Sequence, residues 1–224
     1  LTGDPRRWAS EPGMPGVVSF WGPYTYRSAF HSANDVEESQ RALAHLDDVL
    51  MVEGGHNVAA IILETVVGTN GILVPPDGYL QGVRERCDRH GIVLICDEVM
   101  AGFGRCGEWF AYQKWGVQPD LVCFAKGSNS GYLPLGGVAI SRKIADSLQD
   151  RPFPGGLTYS GHPLACASAV ASINIFKEEG IIEHARMLGT DVIAPGLEKL
   201  QANPPSVGEV RGLGVFWAIE LVKD

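Results

Sequence analysis

Asp97 and Lys126 are the two residues whose types and positions promise the most chemistry. The apolar run at residues 92–96 ends in Asp97, and the run at 121–125 ends in Lys126. Runs of this length and composition read as buried strands. If the two strands are parallel, both residues stand on the C-terminal edge of one sheet, where open α/β sheets bind ligands. A lysine at that place, followed at once by Gly127, is expected to be shielded from bulk water. Burial lowers a lysine pKa from about 10.4 toward neutrality. The neutral amine is a nucleophile toward a carbonyl, and a neighbouring aspartate can hold a cationic ring nitrogen. Pyridoxal phosphate asks a protein for those two functions. A structural ion pair between Lys126 and Asp97 accounts for the same residues equally well from spacing alone.

The elements that must position them alternate. Residues 58–63, 92–96, 121–124 and 137–140 read as strands. Val36, Leu43, Leu46 and Leu50 follow helical spacing within 35–52. Leu80, Val83 and Cys87 do so within 77–90, with Gly91 as a stop. A crossover helix is expected around 109–115, and an Ala-rich, closely packed helix over 163–178. A last helical stretch covers 182–201, which Pro195 should kink or divide. This alternation predicts an α/β fold with a mostly parallel sheet. The first forty residues, rich in Pro, Gly and aromatic side chains, read as loops over a surface. Asn203-Pro204-Pro205-Ser206 is the best boundary, dividing 1–203 from a second unit, 204–224, that begins with two strand-like runs around Gly212 and Gly214.

Composition excludes several classes. With 224 residues, the chain can fill one large domain or two modest ones. Its 45% apolar and 20% charged content argues against disorder. Eighteen Lys and Arg against 26 Asp and Glu leave a net charge of −8, which disfavours nucleic acid as a partner. No apolar run is long enough to span a membrane. The five cysteines are odd in number and form no Cys-x-x-Cys pair, so neither a disulfide framework nor a zinc site is expected. The cytoplasm is the expected compartment. The first residue is Leu1, with no signal-like segment, so the chain is expected to be a piece of something longer.

Gly102-Phe103-Gly104-Arg105-Cys106-Gly107 matches the dinucleotide pattern G-x-G-x-x-G, and Asp120 lies near the spacing of a ribose-binding acid. The pattern needs its first glycine in the turn that ends the strand. Here Asp97 to Ala101 intervene, two carboxylates stand where a pyrophosphate would go, and Asp120 precedes the next strand rather than ending it. A structural glycine loop, with Arg105 tying it to nearby carboxylates or carbonyls, is the better account. The histidines show no ligand spacing, and His162 before Pro163 reads as a loop or cap residue. Trp8, Trp21, Tyr24 and Tyr26 read as packing or interface residues. Asp47 and Asp48 read as a solvated helix face.

Four blocks in order resemble the class III aminotransferases of fold type I, across nearly the whole chain. The string Asp97-Glu98-Val99-Met100-Ala101-Gly102-Phe103-Gly104-Arg105 is similar to their D-E-V-x-x-G-F-G-R motif. Pro119-Asp120-Leu121, Ala125-Lys126-Gly127 and Pro134-Leu135-Gly136-Gly137 resemble their next block. Thr158-Tyr159-Ser160-Gly161-His162-Pro163-Leu164-Ala165-Cys166-Ala167 resembles their T-x-x-G-x-P-x-x-x-A block. Glu64, before Gly68 and Gly71, resembles the glutamate of E-P-V-x-G.

The resemblance implies pyridoxal 5'-phosphate as cofactor, held on Lys126 as an internal aldimine, with Lys126 also moving the substrate's α-proton. It implies Asp97 on the pyridine nitrogen, Val99 against the ring and Thr158 on the phosphate, the last often serving a neighbouring subunit. Glu64 is implied as a pocket acid, with loop orientation an equal alternative. The implied fold is the three-layer large domain, followed by the start of a small α+β domain. The implied reaction is ping-pong amino transfer from an ω-amine or amino acid to a keto acid such as pyruvate, in a homodimer with shared sites. Residues 64–71 and the Asn129-Ser130-Gly131-Tyr132 loop are most similar to taurine–pyruvate and ω-amine–pyruvate members. Thr65, Met100 and Thr69 depart from the pattern, where many members carry proline, glutamine and, in 4-aminobutyrate enzymes, a second glutamate. An aminomutase, decarboxylase or racemase shares Lys126 and Asp97, and a truncated, inactive chain is the third alternative. The family's phosphate-cradling turn and ring-stacking aromatic are expected before Leu1, and its carboxylate-binding arginine after Asp224.

Overall fold

The computed structural model describes residues 3–202 and 205–223. The N-terminal stretch is loop with two short 3-10 turns, Pro5–Ser10 and Thr25–Arg27, laid over the rest. Helix α1 (Asp35–Glu53) starts where the Asn34 side chain accepts the Glu37 N–H, with Asp35, Glu37 and Glu38 in its first turn. That arrangement satisfies a free N-terminal donor and suits the helix dipole. Its buried stripe is Ala42, Leu46 and Leu50, with Leu43 packed at its side, while Val36 is 67% exposed. Val36 sits in the first turn, before α1 reaches the core.

Strand β1 (Ala60–Glu64) leads to α2 (Tyr79–His90), which buries Leu80, Val83 and Cys87 and stops at Gly91 in left-handed backbone. Asp47 of α1 is clamped by Arg86 of α2 through Nε and Nη2, at 2.8 and 2.5 Å. The solvated face expected at Asp47 is therefore an inter-helix tie, because α2 brings a basic side chain across it.

Strand β2 (Val93–Asp97) pairs parallel with β1, and β3 (Leu121–Phe124) pairs parallel with β2. Strand β4 (Gly137–Ile140) closes the order β1-β2-β3-β4 antiparallel to β3. The sheet is mixed but mostly parallel, as expected; β4, also read as a buried strand, is instead an edge strand with Val138 56% and Ile140 48% exposed. Leu94 and Cys96 of β2 are 1% exposed and form the sheet's buried side with Ile61. The expected crossover helix near 109–115 is instead a 3-10 turn, Ala111–Trp115. It is held between Gly107 and Gly116, both left-handed, which leaves no length for an α-helix.

After α3 (Arg142–Asp146) comes α4 (Pro163–Glu178), with Pro163 in its first turn and Ala165, Ala169 and Ser172 buried. His162 is its N-cap residue, without a side-chain cap bond. The expected break near Pro195 is a π-helical segment, Leu188–Ile193, between α5 (Ile181–Met187) and α6 (Ala194–Gln201). Pro195 lies in the first turn of α6, where its missing N–H costs nothing.

Strands β5 (Val207–Leu213) and β6 (Phe216–Leu221) form a separate antiparallel hairpin. The expected boundary at Asn203 and Pro204 lies outside the described residues. The hairpin turn packs on the glycine loop: Val215 N–H donates to Arg105 O at 2.8 Å. Cys87, Cys96 and Cys106 are buried, and Cys123 and Cys166 partly so, all as free thiols.

Candidate active site

Three parallel strands end on one edge, and their last residues define the site. Glu64 and Asp97 are register partners across β1 and β2, and Asp97 faces Cys123 of β3. Lys126 follows β3 after Ala125, opening a 3-10 turn over Lys126–Asn129. The parallel arrangement that the candidate pair needs is therefore present.

Each carboxylate folds back on its own loop. Asp97 Oδ1 accepts the Val99 N–H at 3.0 Å. Its Oδ2 accepts nothing from the described residues. Glu64 Oε2 accepts the Gly68 N–H at 2.8 Å, so Glu64 does orient the loop that follows it. Met100 fills the space beside Gly68, and the Thr69 hydroxyl donates to its Sδ at 3.5 Å. Burial, and after it the Asp97 charge, raises the Cys123 thiol above its usual range.

Lys126 is exposed, contrary to the shielding expected from its neighbours in sequence. It opens the turn after the strand end, and no described residue gives its amine a hydrogen bond or ion pair. The structural Lys126–Asp97 ion pair is absent. An amine and a carboxylate oxygen on the same edge are thus both open to a third group, and Val99, half-buried, lies in the turn between them and the glycine loop.

Thr158 is exposed in a turn closed by Ser160 N–H to Leu157 O at 2.9 Å. No hydrogen bond among the described residues joins it to Asp97 or Lys126. The structure therefore brings Glu64, Asp97, Val99 and Lys126 to one sheet edge, with Thr158 in an exposed turn before α4.

The second acid of the motif has a different place. Glu98 is fully buried, its Oε2 accepting from Ala111 N–H at 2.9 Å and its Oε1 from Tyr112 N–H at 3.0 Å. Burial raises its pKa in spite of those bonds. So only Asp97 of the two carboxylates stands at the edge. The glycine pattern still opens no helix: Phe103 and Gly104 N–H bond back to Trp109 O and Glu108 O. Arg105 Nη1 donates to Met100 O at 3.0 Å, tying the loop through carbonyls. Asp120 is taken by Arg84 at 2.8 Å and by Leu94 N–H at 2.9 Å.

Sequence reasoning missed Arg211. Its Nε donates to Gly71 O at 2.7 Å, and its Nη1 pairs with Glu209 at 2.5 Å and Glu220 at 2.6 Å. Its guanidinium lies over the Tyr24 ring, 4.9 Å from the centroid. Glu220 also bonds Tyr24 Oη and Arg27. Burial would raise the Glu220 pKa, but those donors hold it at about 2. The signal was available: Glu209 and Arg211 are two apart on one strand, hence on one face.

A class-III aminotransferase family model matches residues 8–224. The putrescine–pyruvate aminotransferase of Pseudomonas aeruginosa is 42% identical over 212 residues, 94% of this chain and 46% of that protein. The taurine–pyruvate aminotransferase of Bilophila wadsworthia is 37% identical over 219 residues, 95% of this chain and 47% of that protein. Among solved structures, a taurine:2-oxoglutarate aminotransferase from Bifidobacterium kashiwanohense, in complex with PLP and glutamate, superposes with a TM-score of 0.95 at 45% identity. It covers 99% of this chain and 50% of its own. An (S)-enantioselective ω-transaminase from Thermomicrobium roseum gives a TM-score of 0.93 at 43% identity, over 100% and 50% of the two chains. The chain thus spans about half the length of the curated relatives it matches. The match over residues 8–224, together with the shared fold, places the chain in the class-III aminotransferase family.

Proposed function

We propose that the whole protein is a pyridoxal-phosphate-dependent aminotransferase that moves an amino group from an ω-amine or amino acid to a keto acid such as pyruvate. The observation that carries this is the pair of open functions on one sheet edge, the Lys126 amine and the Asp97 Oδ2. The names of the relatives, which include putrescine–pyruvate and taurine–pyruvate aminotransferases, support the substrate class. The donor set fits the cofactor: a free amine for its aldehyde, and a carboxylate with one oxygen uncommitted for its ring nitrogen.

In this reading Lys126 Nζ holds the cofactor and carries the proton to and from the substrate carbon. Asp97 would face the ring nitrogen, its carboxylate oriented by the Val99 N–H. The Val99 side chain would pack against the ring of a bound cofactor. Glu64, held by Gly68, lines the pocket beside Asp97. Thr158 binds the phosphate of a second copy's site, which agrees with its exposure and implies a homodimer. When bound, the cofactor would supply an electron sink for the negative charge that develops at the substrate carbon. We take residues 204–224 as the start of the small C-terminal domain, and the cytoplasm as the compartment, in keeping with five free thiols.

Borohydride reduction of the cofactor-loaded whole protein, followed by peptide mapping, tests this. A pyridoxyl label on Lys126 is expected. A label on another lysine, or none, overturns the reading.

A further inference from the structure

Two residues with side chains hold left-handed backbone where the glycine loop meets the Lys126 turn. Lys126 has φ 45° and Phe103 has φ 57°. Such backbone is costly for L-residues and persists only where the surroundings over-determine it. Nothing at the tip of Lys126 does so, since its amine has no partner among the described residues. The cause lies beneath it.

Phe103 is 8% exposed, and its N–H donates to Trp109 O at 2.6 Å. Its ring meets Phe110 and Phe124 edge-on, with centroids 5.4 and 5.9 Å away. Phe124 is the last residue of β3, so Phe103 is locked to the strand that delivers the lysine. On its other side Phe103 leaves no room at Gly127. A Cβ added there would lie 2.7 Å from Phe103 Cβ. Ser128 N–H closes the turn onto Ala125 O at 3.1 Å. The far end of the turn is fastened to α4 by Ser130 Oγ and Ser172 Oγ, 3.1 Å apart. Between a fixed strand end and a fixed exit, the bare edge of Gly127 against Phe103 sets the path the backbone takes through Lys126.

We propose that Phe103 is a positioning residue for Lys126. Its Cβ, seated against Gly127, keeps the lysine backbone left-handed and so sets the direction in which the amine leaves the sheet edge. This rests on the role proposed above for Lys126.

The test uses the whole protein loaded with pyridoxal phosphate, and reads the rate of borohydride-trapped labelling at Lys126 beside thermal melting and circular dichroism. Gly127 is not among the left-handed glycines, so Gly127→Ala is opposed only by the contact with Phe103. Labelling of the wild type at Lys126 is the control; its absence overturns the proposed function, and this inference with it. With the control in place, Gly127→Ala should keep its helical signal and label Lys126 roughly 10²-fold more slowly, the cost of a misplaced reacting group. Labelling at the wild-type rate overturns the proposal, even if the melting temperature falls. Phe103→Gly, which removes the Cβ of the seat, should likewise slow labelling at Lys126; labelling at the wild-type rate in a folded Phe103→Gly protein also overturns it. If neither Gly127→Ala nor Phe103→Gly folds, Phe103→Leu, which keeps the Cβ but loses the ring contacts, is read instead. Labelling near the wild-type rate supports the Cβ seat, and labelling slowed as far as expected for Gly127→Ala overturns it.

Discussion

Glu64 and Asp97 are register partners at the ends of two adjacent parallel strands, and each turns a carboxylate oxygen back onto a backbone N–H of the loop that follows it. The two acids differ in what remains. Glu64 sits at the base of a loop fastened further out by Arg211, while Asp97 keeps one oxygen uncommitted beside the strand that leads to Lys126.

That difference predicts unequal effects of neutralising them. In the role proposed for Asp97, Asp97→Asn keeps the bond to Val99 N–H but loses the charge offered to the ring nitrogen, so the proposed amino-transfer half-reaction should slow on the order of 10²-fold. Glu64→Gln retains an oxygen for Gly68 N–H and should act mainly on KM for the amine. Stopped-flow measurement of the amine half-reaction separates the two. An Asp97→Asn enzyme that transfers at the wild-type rate would remove Asp97 from the proposed role.

Much of this edge was legible because buried parallel strands are continuous apolar runs whose first polar residue marks the exit. Asp97 and Lys126 announce themselves in that way, and α4 is bounded by a proline at its start. The exposure of Lys126 was not legible. Whether a residue at a strand end is covered depends on what packs over that end, and no local pattern contains that information. The same limit hid the Asp47–Arg86 tie, which needs the crossing of α1 and α2. It also hid the split of Asp97 from Glu98: strand alternation sends them apart, but the chain turns there, so the pattern has no further residues to reveal the core-facing side.

Arg211 should prove a fastening for the loop around Gly71. Arg211→Met breaks the bond to Gly71 O and leaves Glu209 and Glu220 without their shared cation, half inside the protein. Stranding charges in this way costs about 3 kcal/mol when they are buried and less where water reaches them, so a loss of about 1–2 kcal/mol is expected. Urea denaturation of the whole protein measures it, and an unchanged midpoint would show the network to be ornamental.

Glu220 makes stability depend on acid. Its folded pKa of about 2 lies below the ordinary value of 4.5, because Tyr24, Arg27 and Arg211 outweigh the effect of burial. The ionised form is thus the one the fold prefers. Its contribution is complete above about pH 4.5 and is lost as pH falls toward 2. Wild type should lose on the order of 1 kcal/mol more than Glu220→Gln between pH 6 and pH 3, after allowing for solvent screening. Parallel denaturation curves for the two proteins over that range would contradict this assignment.

The hairpin turn offers the sharpest steric prediction. Gly214 has φ 60°, and a Cβ there would lie 2.5 Å from both Arg105 O and Gly107 N. From the other side, a Cβ on Gly189 of the π-helical segment would lie 2.2 Å from Gly214 O. The turn is therefore pressed between two backbones, neither of which ends in a flexible side chain that can move aside. Gly214→Ala should cost at least about 2 kcal/mol, from left-handed strain together with displaced backbone. The displacement has a direction: it pushes on Arg105, whose Nη1 holds Met100 O in the turn after Asp97. Denaturation should thus show the stability loss, and the amine half-reaction should slow in the protein that remains folded. Loss of stability with unaltered kinetics would confine Gly214 to holding the hairpin, with no reach into the edge where Asp97 and Lys126 stand.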